Sequence, residues 1–265
     1  MSRYGRRLLL WDIDGTLLST GTIGRRAIML AVSVALGTGT LPALDLGGKT
    51  DPQIATELMH LFGMSPAEID ALLPEVITAV EENLVGTEAE IVREGHLKPG
   101  VAELLERLAD APGVVQSLLT GNLAANAAVK VGAFGLQRWL DLEIGAYGSD
   151  HADRTELVPI ALERARRLRG EHYEPDEVWV IGDTANDLAC ARAGGVRCLL
   201  VGTGTHGHEA VAGLDADAVL EDLSDLDAVL SALGLGEGSA ARSVRRQVSL
   251  DPSGRLEHLR EDLTP

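Results

Sequence analysis

The sequence predicts an α/β fold carrying an inserted block of helices, and three observations support that expectation. Short apolar runs at 8–11, 114–119 and 178–181 each stop abruptly at a polar turn, as buried strands do. Between and after them lie stretches whose apolar residues recur at helical spacing. A third observation is the segment 18–95, which is helical in pattern throughout and separates the first strand from the rest.

The first run, 8–11, is Leu-Leu-Leu-Trp, followed by Asp12-Ile13-Asp14-Gly15-Thr16. A buried strand that ends there sets two carboxylates at the mouth of a sheet, where packing alone has no use for them. Within the insertion, Asp51-Pro52 is expected to open a helix carrying Ile54, Leu58 and Leu61. Ser65-Pro66-Ala67-Glu68 is a capping box with proline at the first helical position. It starts a helix with Ile69, Leu72, Leu73, Val76, Ile77, Val80 and Leu84 on one face. The apolar run 27–36 is too short to span a bilayer and reads as a buried helix. Short turns between antiparallel helices are expected. Pro99-Gly100 marks the return to the sheet, and the stretches after Thr16 and before Pro99 are the expected hinges.

The loop Gly47-Gly48-Lys49-Thr50-Asp51 has two readings. It is either a glycine turn with Asp51 as helix N-cap, or a substrate-facing loop in which Lys49 meets an anionic group. Arg25 or Arg26 is the second choice for that role. After a helix-like stretch at 101–109, the strand 114–119 ends in Thr120-Gly121-Asn122, whose hydroxyl and free amides suit a phosphate oxygen. Arg154 follows 142–150 and precedes a helix with Leu157, Ile160, Ala161 and Leu168, so it is the cation available to the strand ends. The run 178–181 ends in Gly182-Asp183-Thr184-Ala185-Asn186-Asp187, one acid in the turn and one in the first turn of a helix.

Composition narrows the function classes. A chain of 265 residues with 45% hydrophobic content can bury a large core and has room for one domain plus an insertion. Its net charge of −17 disfavours nucleic acid and anionic membranes. The basic clusters Arg3, Arg6, Arg7 and Arg242, Arg245, Arg246 read as solvated. The apolar start is too short for a secretory signal, and a cytoplasmic location is expected. Cys190 and Cys198 lack metal-ligand spacing and read as buried small hydrophobes; His206 and His208 read as an exposed loop. The tail from about Gly236 is expected either to be disordered or to form an edge hairpin.

In the order Asp12-Ile13-Asp14-Gly15-Thr16, Thr120, Arg154, then Gly182-Asp183 with Asp187, these motifs make the chain resemble the haloacid dehalogenase-like hydrolases over about residues 8–235. The resemblance is to their phosphatase branch, with a helical cap after the first motif. It implies a Rossmann-like parallel-sheet core at 1–17 and 96–235 with the first strand central, a helical cap at 18–95, and a tail at 236–265. It departs from the family at one position, since Arg154 stands where lysine is more frequent. The resemblance implies a Mg²⁺ ion held by the Asp12 carboxylate, the Asp14 backbone carbonyl and the Asp183 carboxylate, with Asp187 orienting that set. It makes Asp12 the nucleophile that forms an aspartyl-phosphate and Asp14 the general acid and base. Thr120, Gly121, Asn122 and Arg154 become the phosphate-binding residues. The loop at Lys49 resembles the substrate-facing cap loop of phosphoglycolate phosphatase-like members. The expected substrate is therefore a small phosphorylated metabolite, with phosphoglycolate first. Rival readings are a sugar phosphomutase of the same fold and a non-catalytic binding module; a homodimer is left open.

Overall fold

The structure is a computed structural model that describes residues 5–236. The first strand, β1 (Arg7–Trp11), leads through a turn to the two-residue β2 (Leu18–Ser19). Four helices follow: α1 (Ile23–Leu36), α2 (Asp51–Leu61), α3 (Pro66–Glu82) and α4 (Glu88–Glu94). The chain then returns through β3 (His96–Leu97), α5 (Val101–Ala109), β4 (Val114–Thr120), α6 (Ala124–Ala133) and β5 (Ala146–Tyr147). A 3-10 turn at Arg154–Glu156 runs into α7 (Leu157–Arg169), and then come β6 (Val178–Gly182) and α8 (Ala185–Ala193). The described chain closes with β7 (Arg197–Val201), α9 (Gly207–Ala212), β8 (Ala218–Leu220) and α10 (Leu226–Ala232).

Six strands form one parallel sheet in the order β5-β4-β1-β6-β7-β8, so β1 is interior. Trp11 pairs with Leu118 on one side and Ile181 on the other, which brings the ends of β1, β4 and β6 to one edge. Strands covered on both faces need apolar side chains at every position. Leu9 and Trp11 pack on one face with Leu104, Leu105 and Leu108 of α5. Leu8 and Leu10 pack on the other with Leu157, Val158 and Ala161 of α7 and Cys190 of α8. Both cysteines are buried and unpaired, and burial pushes the Cys190 thiol up to about 12.

The helices of the insertion build an apolar cluster from Ile28, Val32, Ile54, Leu58, Met59, Val76 and Val80, joined by Leu123 from the loop after β4. The backbone crosses into and out of the insertion side by side, because β2 pairs antiparallel with β3 through Leu18–Leu97 and Ser19–His96. The Ser65 capping box forms as expected. Several expectations need correction. Thr50, not Asp51, caps α2, accepting from the Gln53 amide at 3.2 Å. Leu61 and Leu168 are 56% and 40% exposed and lie off the buried faces of their helices. The run 27–36 belongs to an amphipathic helix that leaves Val34 in solvent, so it is buried on one face only. The connection from α1 to α2, residues 37–50, is a long loop instead of a short turn. The expectations for the tail, Arg3, Arg242, Arg245 and Arg246 lie outside the described residues.

Candidate active site

Asp12 continues the register of β1 for one more residue, its amide donating to the Ile181 carbonyl at 2.9 Å. The chain then turns, and the Gly15 amide donates to Leu18 O at 2.9 Å. Gly15 has φ +94°, and a Cβ there would collide with the Asp183 carboxylate; glycine lets the loop pass close to that acid. Three buried carboxylates gather as a result. Oxygens of Asp12, Asp183 and Asp187 lie within 4.8 Å of one another.

Their surroundings differ. Asp187 is fully engaged: Oδ2 accepts from the Thr184 amide at 3.0 Å and from its hydroxyl at 2.6 Å, closing the capping box of α8, while Oδ1 accepts from Arg154. Arg154, 5% exposed, also pairs with Asp12 at 3.0 Å and donates to the Gly48 carbonyl at 3.2 Å. Burial alone would lower the basicity of its guanidinium, but Asp187 and Asp12 more than offset this and hold it charged. Among the described residues, Asp183 receives only the Thr16 hydroxyl, at 2.9 Å. Burial first, then Asp187 and Asp12, push its carboxyl up to about 8. Asp12 is raised to about 6 by burial, with Arg154 pulling against it and Asp187 and Asp14 adding to it. A buried, oxygen-only set with more negative charge than one arginine can balance suits a hard divalent cation. The donors therefore fit the magnesium that the family resemblance implies.

Asp14 stands apart from this cluster. Its Oδ2 accepts from Asn122 Nδ2 at 2.8 Å and pairs with Lys130 Nζ at 2.5 Å. Asn122 Nδ2 also donates to Thr120 Oγ1 at 2.8 Å, and the Thr120 side chain hydrogen-bonds Asp12. A cavity of about 350 Å³ opens between the sheet edge and the helical insertion. Asp12, Asp14, Thr120, Gly121, Asn122, Arg154, Asp183 and Lys49 all line it, so every one of these candidates faces one space; Asp187 lies beneath. Two results depart from the simplest reading. Lys49 forms an ion pair with Glu57 of α2, whose other oxygen accepts from Gln53 Nε2 at 2.9 Å, so its charge already has a partner. His206 is exposed as expected and faces Asp45 at 3.5 Å, but His208, also exposed, lies in α9 and not in a loop.

Two residues of the site carry no legible signal in the sequence. Lys130, 5% exposed, sits in the small-residue run of α6, where a lysine ordinarily reads as a solvated face. Asp51 reads as a helix cap, yet it is half-buried on the cavity wall, its carboxylate accepts from the Leu123 amide at 2.9 Å, and desolvation raises it to about 6 with Lys130 opposing. A sequence signal for either would have required knowing that α6 and α2 meet over the strand ends.

The family model described as haloacid dehalogenase-like hydrolase matches residues 9–192. The chain belongs to this family. Phosphoglycolate phosphatase 1 of Pseudomonas aeruginosa is 26% identical over 241 residues, covering 83% of this chain and 78% of that protein. The phosphoglycolate phosphatase of Vibrio vulnificus is 25% identical over 234 residues, covering 87% and 99%. Among solved structures, CbbY from Rhodobacter sphaeroides in complex with phosphate superposes with a TM-score of 0.59 at 26% identity, covering 84% of this chain and 96% of that one. The α/β core and its family are thus as the sequence implies. Among the described residues no helix is long and apolar enough to cross a membrane.

Proposed function

We propose that this haloacid dehalogenase-like hydrolase is a magnesium-dependent phosphatase that cleaves a small phosphate monoester through an aspartyl-phosphate, with phosphoglycolate the first candidate substrate. The observation that carries the reading is the division of labour between the two aspartates of the first motif. Asp12 is buried against Arg154 and Thr120 beside the other acids, whereas Asp14 points to a separate group of polar residues on the same cavity. Names of the relatives favour phosphate chemistry, and phosphoglycolate in particular.

Phosphoryl transfer is governed by positioning and charge. Asp12, Asp183 and the main-chain carbonyl of Asp14 would hold the divalent ion, which when bound neutralises phosphate charge that would otherwise repel Asp12. Asp187 is already occupied by Thr184 and Arg154, so it orients Arg154 and leaves coordination to the others. An Asp12 oxygen forms the new bond to phosphorus as the ester P–O bond breaks. Asp14 gives its proton to the departing alkoxide, then takes one from the water that attacks the aspartyl-phosphate, returning Asp12 as carboxylate and releasing phosphate. Thr120, the amides at Gly121 and Asn122, and Arg154 bind the phosphoryl oxygens during both steps.

The helical insertion is the cap, and selection among substrates falls to its side of the cavity. The protein is expected to act in the cytoplasm on a phosphorylated metabolite. The deciding experiment measures phosphate release across a panel of phosphorylated metabolites and an aryl phosphate, with and without Mg²⁺. Wild type should require the ion. Asp12→Asn should lose turnover by about 10³-fold or more and should trap no phosphoenzyme in a single turnover. Near wild-type turnover in Asp12→Asn, or full activity without metal, would overturn the mechanism.

A further inference from the structure

We propose that Lys130 is a positioning residue for this reaction: acting with Asn122, it clamps Oδ2 of Asp14 so that Oδ1 is the oxygen that exchanges the proton with the leaving group. The inference rests on the phosphatase reading above. Asp14 needs such a restraint, because its side chain is 44% exposed at the mouth of the cavity and a free carboxylate there would rotate. Two donors converge on one of its oxygens, Lys130 Nζ at 2.5 Å and Asn122 Nδ2 at 2.8 Å. Lys130 and Asn122 are also joined, since the amine donates to Asn122 Oδ1 at 2.5 Å. That bond fixes which way the Asn122 amide faces, and its Nδ2 in turn reaches Thr120 Oγ1. The four side chains form a closed polar network running from the phosphate-binding turn to the acid.

Two helices bring the lysine to this place. It rises from α6, its stem is covered to leave 5% exposure, and α1 gives it room through Gly24. A Cβ at Gly24 would lie 3.1 Å from Nζ, 3.3 Å from Cε and 3.0 Å from Thr20 Oγ1. A buried lysine is retained only where its charge is matched, and the partner here is the group assigned to proton transfer. Of the other cations on the cavity, Lys49 pairs with Glu57, Lys98 donates to the Thr203 carbonyl at 2.7 Å and Arg154 pairs with Asp12 and Asp187, while Arg25 lines it from α1.

A clamp on the acid must show itself in dependence on the leaving group. An alkoxide needs a proton to depart, whereas p-nitrophenolate does not. Single-turnover transfer to the enzyme at saturating Mg²⁺ should therefore be compared for p-nitrophenyl phosphate and a graded series of alkyl phosphates. Lys130→Met should slow the alkyl series by about 10- to 100-fold and the aryl ester by less than about threefold. Lys130→Arg should recover part of the loss. Gly24→Ala, which crowds the amine without removing it, should shift the profile in the same direction as Lys130→Met. On an Asp14→Asn background Lys130→Met should add little further loss with alkyl phosphates, because the two residues act as one unit. Thermal unfolding of each variant separates these effects from misfolding, and Gly24→Ala serves as the test if Lys130→Met does not fold. Equal losses on every leaving group, or a KM increase confined to substrates bearing a carboxylate, would overturn the clamp; the latter would make Lys130 a substrate-binding cation. Failure of wild type to release phosphate from any ester overturns the phosphatase reading and the clamp together, whereas a flat leaving-group profile in active variants overturns the clamp alone.

Discussion

Asp183 is poorly compensated, with only the Thr16 hydroxyl and the charge of Arg154 set against burial and two neighbouring acids. Its native pKa of about 8 lies above the ordinary value of 3.8, so between those values the folded state binds more protons than the unfolded. Stability must then fall as pH rises through that window, and Asp12, raised to about 6, adds to the same slope in its lower half. Melting in EDTA should accordingly be higher at about pH 6 than at about pH 8.5, and Asp183→Asn should flatten the difference. Mg²⁺ should restore the melting temperature at the higher pH by binding only the folded state. A metal-free melting temperature that rises toward alkaline pH would refute this account. Lys49 calls for a different test, because Glu57 already holds its charge. If the amine meets the substrate carboxylate, Lys49→Ala should lower kcat/KM for phosphoglycolate by about 1–3 kcal/mol, the range of a charge-assisted hydrogen bond. Hydrolysis of an uncharged aryl phosphate should hardly change. Glu57→Gln, which frees the amine, should shift phosphoglycolate the opposite way; equal losses on both esters in Lys49→Ala would make the residue a structural partner of α2.

At the scale of elements, the helical insertion is sewn to the sheet edge by a seam around Asp51. The Asp51 amide donates to Gly121 O at 2.8 Å, the Leu123 amide returns to Asp51 Oδ2 at 2.9 Å, and Thr50 Oγ1 donates to Ala152 O at 2.6 Å. Gly121 is what allows it, because a Cβ there would fall on the main-chain carbonyl of Lys49. Gly121→Ala should separate the two loops and cost about 1–3 kcal/mol, as overpacking against backbone does. Urea denaturation gives the cost. Activity should fall with it, and unchanged stability would show that the seam is not built on this contact. The same seam marks the limit of what the sequence discloses. Strand ends with Asp12, Thr120 and Asp183 are legible because each is a contiguous string in which an apolar run stops at a polar turn. Lys130 and Asp51 are not, because their significance comes from α6 and α2 crossing over those ends, and local pattern is silent on which helix lies over which strand. Leu61 and Leu168 fail for a related reason: each fits helical spacing at the end of its helix, where the neighbouring element no longer covers it.

On the scale of the whole molecule, two bodies of apolar contact meet at the cavity and are joined by the β2–β3 ribbon. All three tryptophans, Trp11, Trp139 and Trp179, belong to the sheet and its flanking segments, and none lies in the insertion between α1 and α4. Tryptophan fluorescence therefore reports on the sheet body, while far-ultraviolet circular dichroism also reports on the four inserted helices. Leu58 is fully buried in the cluster of the insertion, and truncating such a residue leaves a cavity costing about 2–5 kcal/mol. If the insertion holds itself together largely through that cluster, Leu58→Ala should loosen it selectively. Its helical signal should then be lost at lower urea than the fluorescence of the sheet, a separation that two-state unfolding forbids. Coincident transitions in the variant would mean that the seam at Asp51 and Gly121 couples the two bodies more tightly than their separate cores divide them.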